Sequence, residues 1–308
     1  MKRLFCAVLA CLLLSGCGWF EQKADVDFWC MDTFMNVKLW GSGAEKAAGE
    51  LQTMMNDLHT TWSAANEQSL LGKLNVGMEV ALTDEQQAVL DRAQALSRRT
   101  GGAFDPKMRA VSRAWGFYNL AYRVPEQADI DAALALEQWD LGAAMKGYAG
   151  EKAAAYLEQT GVDRGILSLG GNIQTYGEKP DGTPWQIAIQ NPYGEDALGI
   201  ISVQGTKSVV TSGSYQRCFE ANGQFYHHIL DPETGYPADS GLVSVTVICD
   251  EGMTADALST ALFVMGLEDG VEFWRSSDDF EAVFVTEDGG IYATAGVALS
   301  GCSYEVIQ

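Results

Sequence analysis

The chain has 308 residues, 47% of them hydrophobic, and a formal charge of −21 from 41 acidic against 20 basic side chains. That apolar share supports a substantial core and excludes a disordered chain. The acidity disfavours binding to a phosphate backbone, so an anionic ligand needs a local exception: a metal, a lysine or backbone N–H groups.

Lys2 and Arg3 precede an apolar run, Leu4–Leu14, that is too short to span a bilayer. It ends in Leu14-Ser15-Gly16-Cys17, which resembles the bacterial lipobox. The resemblance implies cleavage before Cys17, lipidation of its thiol, and a body anchored to a membrane on the extracytoplasmic side. An ordinary secretory signal with an unrelated cysteine is the alternative. The expected division is 1–16 as signal peptide, 17–28 as lipidated cysteine and tether, and 29–308 as a single catalytic domain. Cys30, Cys218, Cys249 and Cys302 show no CxxC or metal-like spacing and leave disulfides and free thiols both open.

Helical spacing of apolar residues predicts helices over 44–60, 84–100, 125–136 and 143–160. Thr83 and Gln86 have the spacing of a capping box, and Gly101-Gly102 ends the second run. Strands are predicted at 165–169, 185–190, 209–214, 242–248, 282–286 and 291–294. A further hairpin, 215–219 with 224–230, turns at Ala221-Asn222-Gly223. Helices and strands mix without a regular βαβ beat, so the class is α+β. No Gly-x-Gly-x-x-Gly follows a strand and no Walker A sequence occurs, which removes Rossmann and P-loop readings.

Several segments carry groups suited to chemistry. In Met253–Gly266, a helix starting near Thr254 and closed by Gly266 sets Asp256 and Thr260 one turn apart on one face. A carboxylate and a hydroxyl so placed suit a hard cation such as Mg²⁺; otherwise they serve the helix dipole and backbone. Asp140 and Lys146 flank a helix start among small residues, an arrangement open to anions or merely an N-cap beside a solvated lysine. Thr100–Pro106 forms a turn that displays Phe104 and Asp105 to a heterocycle, or buries a core ring. His227 and His228 precede the rigid turn Asp231–Pro237. Neighbours on an extended backbone face opposite ways, so one at most faces a pocket.

In order, the chain carries Met31-Asp32-Thr33, Ser63–Asn75, Gly101–Pro106, Asp140–Tyr148, Ser168–Asn172, Thr211–Tyr215, His228–Pro237 and Ala255–Thr260. This series resembles the ApbE family of bacterial FAD:protein FMN transferases from about residue 28 onward. The resemblance implies FAD as substrate, Mg²⁺ as cofactor, and transfer of FMN through a phosphoester bond to a threonine or serine of an exported acceptor, releasing AMP. It implies metal ligation by Asp256, Thr260 and the Ala143 carbonyl. FAD contacts would come from Met31, Trp62, Ala103, Phe104, Asp105, Asp140, Lys146 and Leu230. His228 would be the catalytic histidine, with His227 facing away. The implied acceptor segment is like Asp/Ser-Gly-Ala-Thr/Ser, on a subunit of a membrane redox complex. The chain departs from the family pattern at Asp32, where the family has glycine, at Glu151, where it has aspartate, and at Cys218, where an aromatic is common. The alternatives are a Mg²⁺-dependent FAD pyrophosphatase and a non-catalytic flavin-binding lipoprotein.

Overall fold

A computed structural model describes residues 21–308. The expected signal peptide and Cys17 lie outside the described residues. The first described element is strand β1 (Lys23–Cys30), hairpin-paired with β2 (Thr33–Gly41). The expected tether, 17–28, therefore overlaps the fold, because Lys23–Asp27 is paired residue by residue with β2.

The helices that follow are α1 (Ala44–Trp62), α2 (Leu70–Asn75), α3 (Asp84–Arg99), α4 (Arg109–Ala114) and α5 (Gln127–Leu134). The last helices are α6 (Met145–Leu157) and α7 (Gly252–Arg275). The capping box of α3 is complete: Gln86 N–H donates to Thr83 Oγ1, and Thr83 N–H donates to Gln86 Oε1. The remaining strands are β3 (Val162–Leu169), β4 (Asn172–Tyr176), β5 (Trp185–Gln190), β6 (Ala197–Val203), β7 (Ser208–Gly213), β8 (Cys218–Ala221) and β9 (Gln224–His227). They continue as β10 (Leu242–Cys249), β11 (Phe280–Thr286), β12 (Ile291–Thr294), β13 (Ala298–Ser300) and β14 (Glu305–Ile307).

A nine-stranded sheet in the order β1-β2-β3-β4-β7-β10-β11-β12-β14 forms the middle layer. Its pairings are antiparallel except β12 with β14. One face is covered by α1, α6 and α7. The other carries a three-stranded sheet in the order β13-β6-β5. Burial on both faces explains why β10 and β11 read as near-continuous apolar runs. Val210, Val245 and Phe284 pack against α7, whereas their neighbours Val209 and Val283 pack against the small sheet. A cap built from α4, α5 and the β8–β9 hairpin closes around fully buried Trp115, whose indole N–H donates to the Gly235 carbonyl (2.8 Å).

One helix differs from expectation. Gly266 does not close α7; it breaks it at φ 82°, ψ −178°, and the helix resumes to Arg275. The second half is held by the sheet: a Cβ at Gly270 would meet the Phe284 ring at 3.0 Å. Tertiary packing thus restores a helix that local propensity ends. All four cysteines among the described residues are free thiols.

Candidate active site

At one end of the sheet, the β1–β2 turn, the β3–β4 turn, the end of β7, the start of α6 and the cap surround a cavity of about 540 Å³. Both turns are two-residue connections with left-handed central residues: Met31 (φ 50°) with Asp32 (φ 57°), and Gly170 (φ 66°) with Gly171 (φ 89°). That geometry matches the twist of a hairpin and favours glycine, asparagine or aspartate. Asp32 is among the residues this geometry tolerates. The turns are stacked, since a Cβ on Gly170 would lie 2.1 Å from Thr33 Oγ1.

The start of α6 lies against the start of α7 with backbone in contact. A Cβ at Gly147 would stand 2.0 Å from the Gly252 carbonyl oxygen and 2.7 Å from Asp256 Cβ. This closeness has a chemical result. The Gly147 N–H, a first-turn donor of α6 with no carbonyl partner within the helix, donates to Asp256 Oδ2 (2.9 Å). The Ala143 carbonyl, just ahead of that helix, has no hydrogen-bond donor among the described residues. Thr260 is one turn further along α7, its hydroxyl 3.2 Å from Ser212 Oγ of β7. A carboxylate, a free carbonyl and a hydroxyl on one cavity wall are a hard-oxygen set. It fits Mg²⁺, which takes few protein ligands and keeps positions for water and phosphate. Gly147→Ala is expected to cost about 1–3 kcal/mol by overpacking. It should also displace Asp256, seen as a lower unfolding midpoint together with weaker Mg²⁺ binding.

Glu151, one turn from this crossing, is gripped in a fork by Arg92 of α3 (2.7 and 3.0 Å), and its Oε2 accepts the Met253 N–H (3.2 Å). The longer acid at this position therefore ties α3 and α6 to the first turn of α7, which carries Asp256.

The histidine pair divides as alternation requires. His227 turns into the core, its Nε2–H donating to the Ala238 carbonyl (3.2 Å) and its ring edge-on to Phe263 at 5.5 Å. His228 lines the cavity with a buried Nδ1 that has no partner among the described residues. Burial, reinforced by the charges of Arg217, His227 and Lys146, pushes its imidazole down to about 3. It is neutral at physiological pH, the form that can accept a hydrogen bond from a hydroxyl.

Lys146 reaches only the Gly142 carbonyl, at 3.5 Å. Arg217, also on the wall, makes no side-chain hydrogen bond or ion pair among the described residues. Cations without counter-ions in so acidic a chain mark an anion site. Asp140 is held on both oxygens, accepting the Gly142 N–H (2.8 Å) and the Tyr118 hydroxyl. Burial, then the Asp140 charge, raises that phenol well above its usual range.

The residues expected to hold FAD or metal, and the expected catalytic histidine, all border this one cavity: Met31, Trp62, Ala103, Phe104, Asp105, Asp140, Ala143, Lys146, His228, Leu230, Asp256 and Thr260. Phe104 differs in manner, since it is 1% exposed and forms the floor instead of projecting from a loop. Thr100 Oγ1 accepts its N–H (3.2 Å) and draws it into the core. Asp105 caps its own turn through the Lys107 N–H (2.9 Å), and burial raises its carboxyl above the usual range. Arg217, Tyr118, Ser212 and Asn172 escaped notice as site residues. Arg217 and Ser212 stood beside or within quoted motifs, whereas nothing local marks Tyr118.

The ApbE family model matches residues 31–284. An FAD:protein FMN transferase of Klebsiella pneumoniae is 36% identical over 222 residues, covering 65% of this chain and 68% of that protein. One from Treponema pallidum is 32% identical, covering 82% and 80%. The crystal structure of the ApbE protein of Thermotoga maritima superposes with a TM-score of 0.80 at 31% identity, covering 88% of this chain and 96% of that one. The matched stretch takes in every wall of the cavity, from the Met31 turn to Thr260 on α7, and the chain belongs to the ApbE family.

Proposed function

We propose that the chain is an FAD:protein FMN transferase that moves FMN onto a threonine or serine hydroxyl of an exported protein, with Mg²⁺ as cofactor and AMP as the leaving product. The observation that carries this reading is the convergence on one cavity of an oxygen donor set, unpaired cations and a neutral histidine. Mg²⁺ held by Asp256, Thr260 and the Ala143 carbonyl would neutralise pyrophosphate charge. Lys146 and Arg217 add cationic partners for the same oxygens. The acceptor oxygen bonds to the FMN-side phosphorus, the bond to the bridging oxygen breaks, and that oxygen leaves with AMP. His228 takes the acceptor proton. Trp62, Met31 and Phe104 supply the apolar side of the pocket for the flavin or adenine ring. The Leu14–Cys17 segment supports a lipid anchor at Cys17, which would hold the enzyme at the outer side of the cytoplasmic membrane.

The test uses the soluble chain from Gly18 with FAD, Mg²⁺ and a carrier protein bearing an exposed Asp-Gly-Ala-Thr segment. AMP release should match a stoichiometric FMN mass on the threonine. AMP with free FMN and an unmodified carrier would instead support a pyrophosphatase, and tight FAD binding without AMP would support a storage protein.

A further inference from the structure

The β1–β2 hairpin carries an exposed aromatic pair at its tip. Trp29 and Phe34 face each other across the strands, 69% and 56% exposed. Large rings left in water at adjacent positions are unusual on a soluble surface and mark a docking site. The same hairpin closes on Met31 and Asp32, which border the cavity. Only one residue separates each ring from the turn, a span of roughly 7 Å.

We propose that this patch docks the acceptor protein, gripping an apolar residue flanked by lysine or arginine next to the hydroxyl that receives FMN. The proposal rests on the transferase reading. The occupant follows from position and charge. Any acceptor whose hydroxyl enters the cavity must cover its rim, and the aromatic pair is continuous with that rim. Behind the rings on the same face lie Asp27 and Asp25, with Asp32 at the tip. Among the described residues, Asp27 is met only by the Asn36 amide (2.7 Å), and Asp25 by that amide (2.8 Å) and by Lys38 (3.6 Å). A surface of aromatic rings beside surplus carboxylates complements a basic-flanked apolar segment. It repels anionic lipid headgroups and a second copy of a chain with charge −21.

Binding and transfer are measured separately. The probes are a carrier protein bearing Asp-Gly-Ala-Thr flanked by leucine and two lysines, and the same carrier with glutamates replacing those lysines. The variant Trp29→Ser/Phe34→Ser changes only exposed side chains. It should bind the lysine carrier about tenfold more weakly, with a matching rise in KM, while kcat and FAD affinity stay as in the wild type. Asp25→Asn/Asp27→Asn should erase the preference for lysine over glutamate flanks. Unchanged carrier affinity in the aromatic variant overturns the proposal. So does a loss confined to binding of phosphatidylglycerol vesicles, or a shift in sedimentation alone, since either names a different occupant. If the wild type binds the carrier but adds no FMN, the transferase reading fails while the docking result stands on its own.

Discussion

Asp256→Ala will abolish metal-dependent AMP release, by at least ~10²-fold, while the chain stays folded and binds FAD. Asp256 Oδ2 also caps the Gly147 N–H, a first-turn donor of α6 that has no carbonyl partner within the helix. One substitution then removes the carboxylate ligand and the bond that holds the start of α6 beside it. Asp256→Asn keeps an acceptor for the Gly147 N–H at lower charge, and its deficit should shrink as Mg²⁺ is raised. Rates against Mg²⁺ concentration, alongside an unfolding curve for each variant, separate these effects. Full activity in Asp256→Ala would exclude Asp256 as a ligand.

His228→Ala should bind FAD as the wild type does and lose transfer by ~10²–10⁴-fold, the usual worth of a positioned base. His227→Ala should act otherwise. Its ring fills space against Phe263 and bonds Ala238, so its removal lowers stability more than the chemical rate at saturating substrate. The pH response gives a second readout. The imidazole of His228 sits near 3 in the folded chain against an ordinary value near 6.5, so between these values the unfolded chain binds the extra proton. Its contribution to stability is present above about 6.5 and is lost as pH falls through that window. His228→Gln should flatten the fall, and the acid limb of kcat/KM should lie well below 6.5. An acid limb at 6.5, or an inactive His227→Ala that binds FAD normally, would reverse the assignment of the pair.

Much of the site was legible because its groups lie in short local patterns. Asp256 and Thr260 are one helical turn apart, Asp140 and Lys146 bracket a helix start, and alternation forbade His227 and His228 from sharing a pocket. The resemblance to a known family then said which neighbour faces in, a choice alternation leaves open. Tyr118 was not legible, because its partner Asp140 lies 22 residues away and nothing local predicts their meeting. The tether's end differs for another reason. Lys23–Asp27 alternates polar and apolar residues over five positions only, a short strand signal that pairing with β2 completes.

What the sequence determined by itself is the set of elements with strong periodicity or caps: α1, α3, the apolar strands β10 and β11, and the Asn222-Gly223 turn. Their signals are local hydrogen bonds and side-chain spacing, which a chain carries wherever it is placed. The tertiary structure decided what requires two distant segments to touch. It set Gly147 against Gly252, so that Asp256 receives the Gly147 N–H next to the Ala143 carbonyl, and it carried α7 past Gly266 by packing Gly270 on Phe284. It also left Lys146 and Arg217 without counter-ions among the described residues of a strongly acidic protein. Those outcomes depend on close approach and burial, and neither is a property of any one segment.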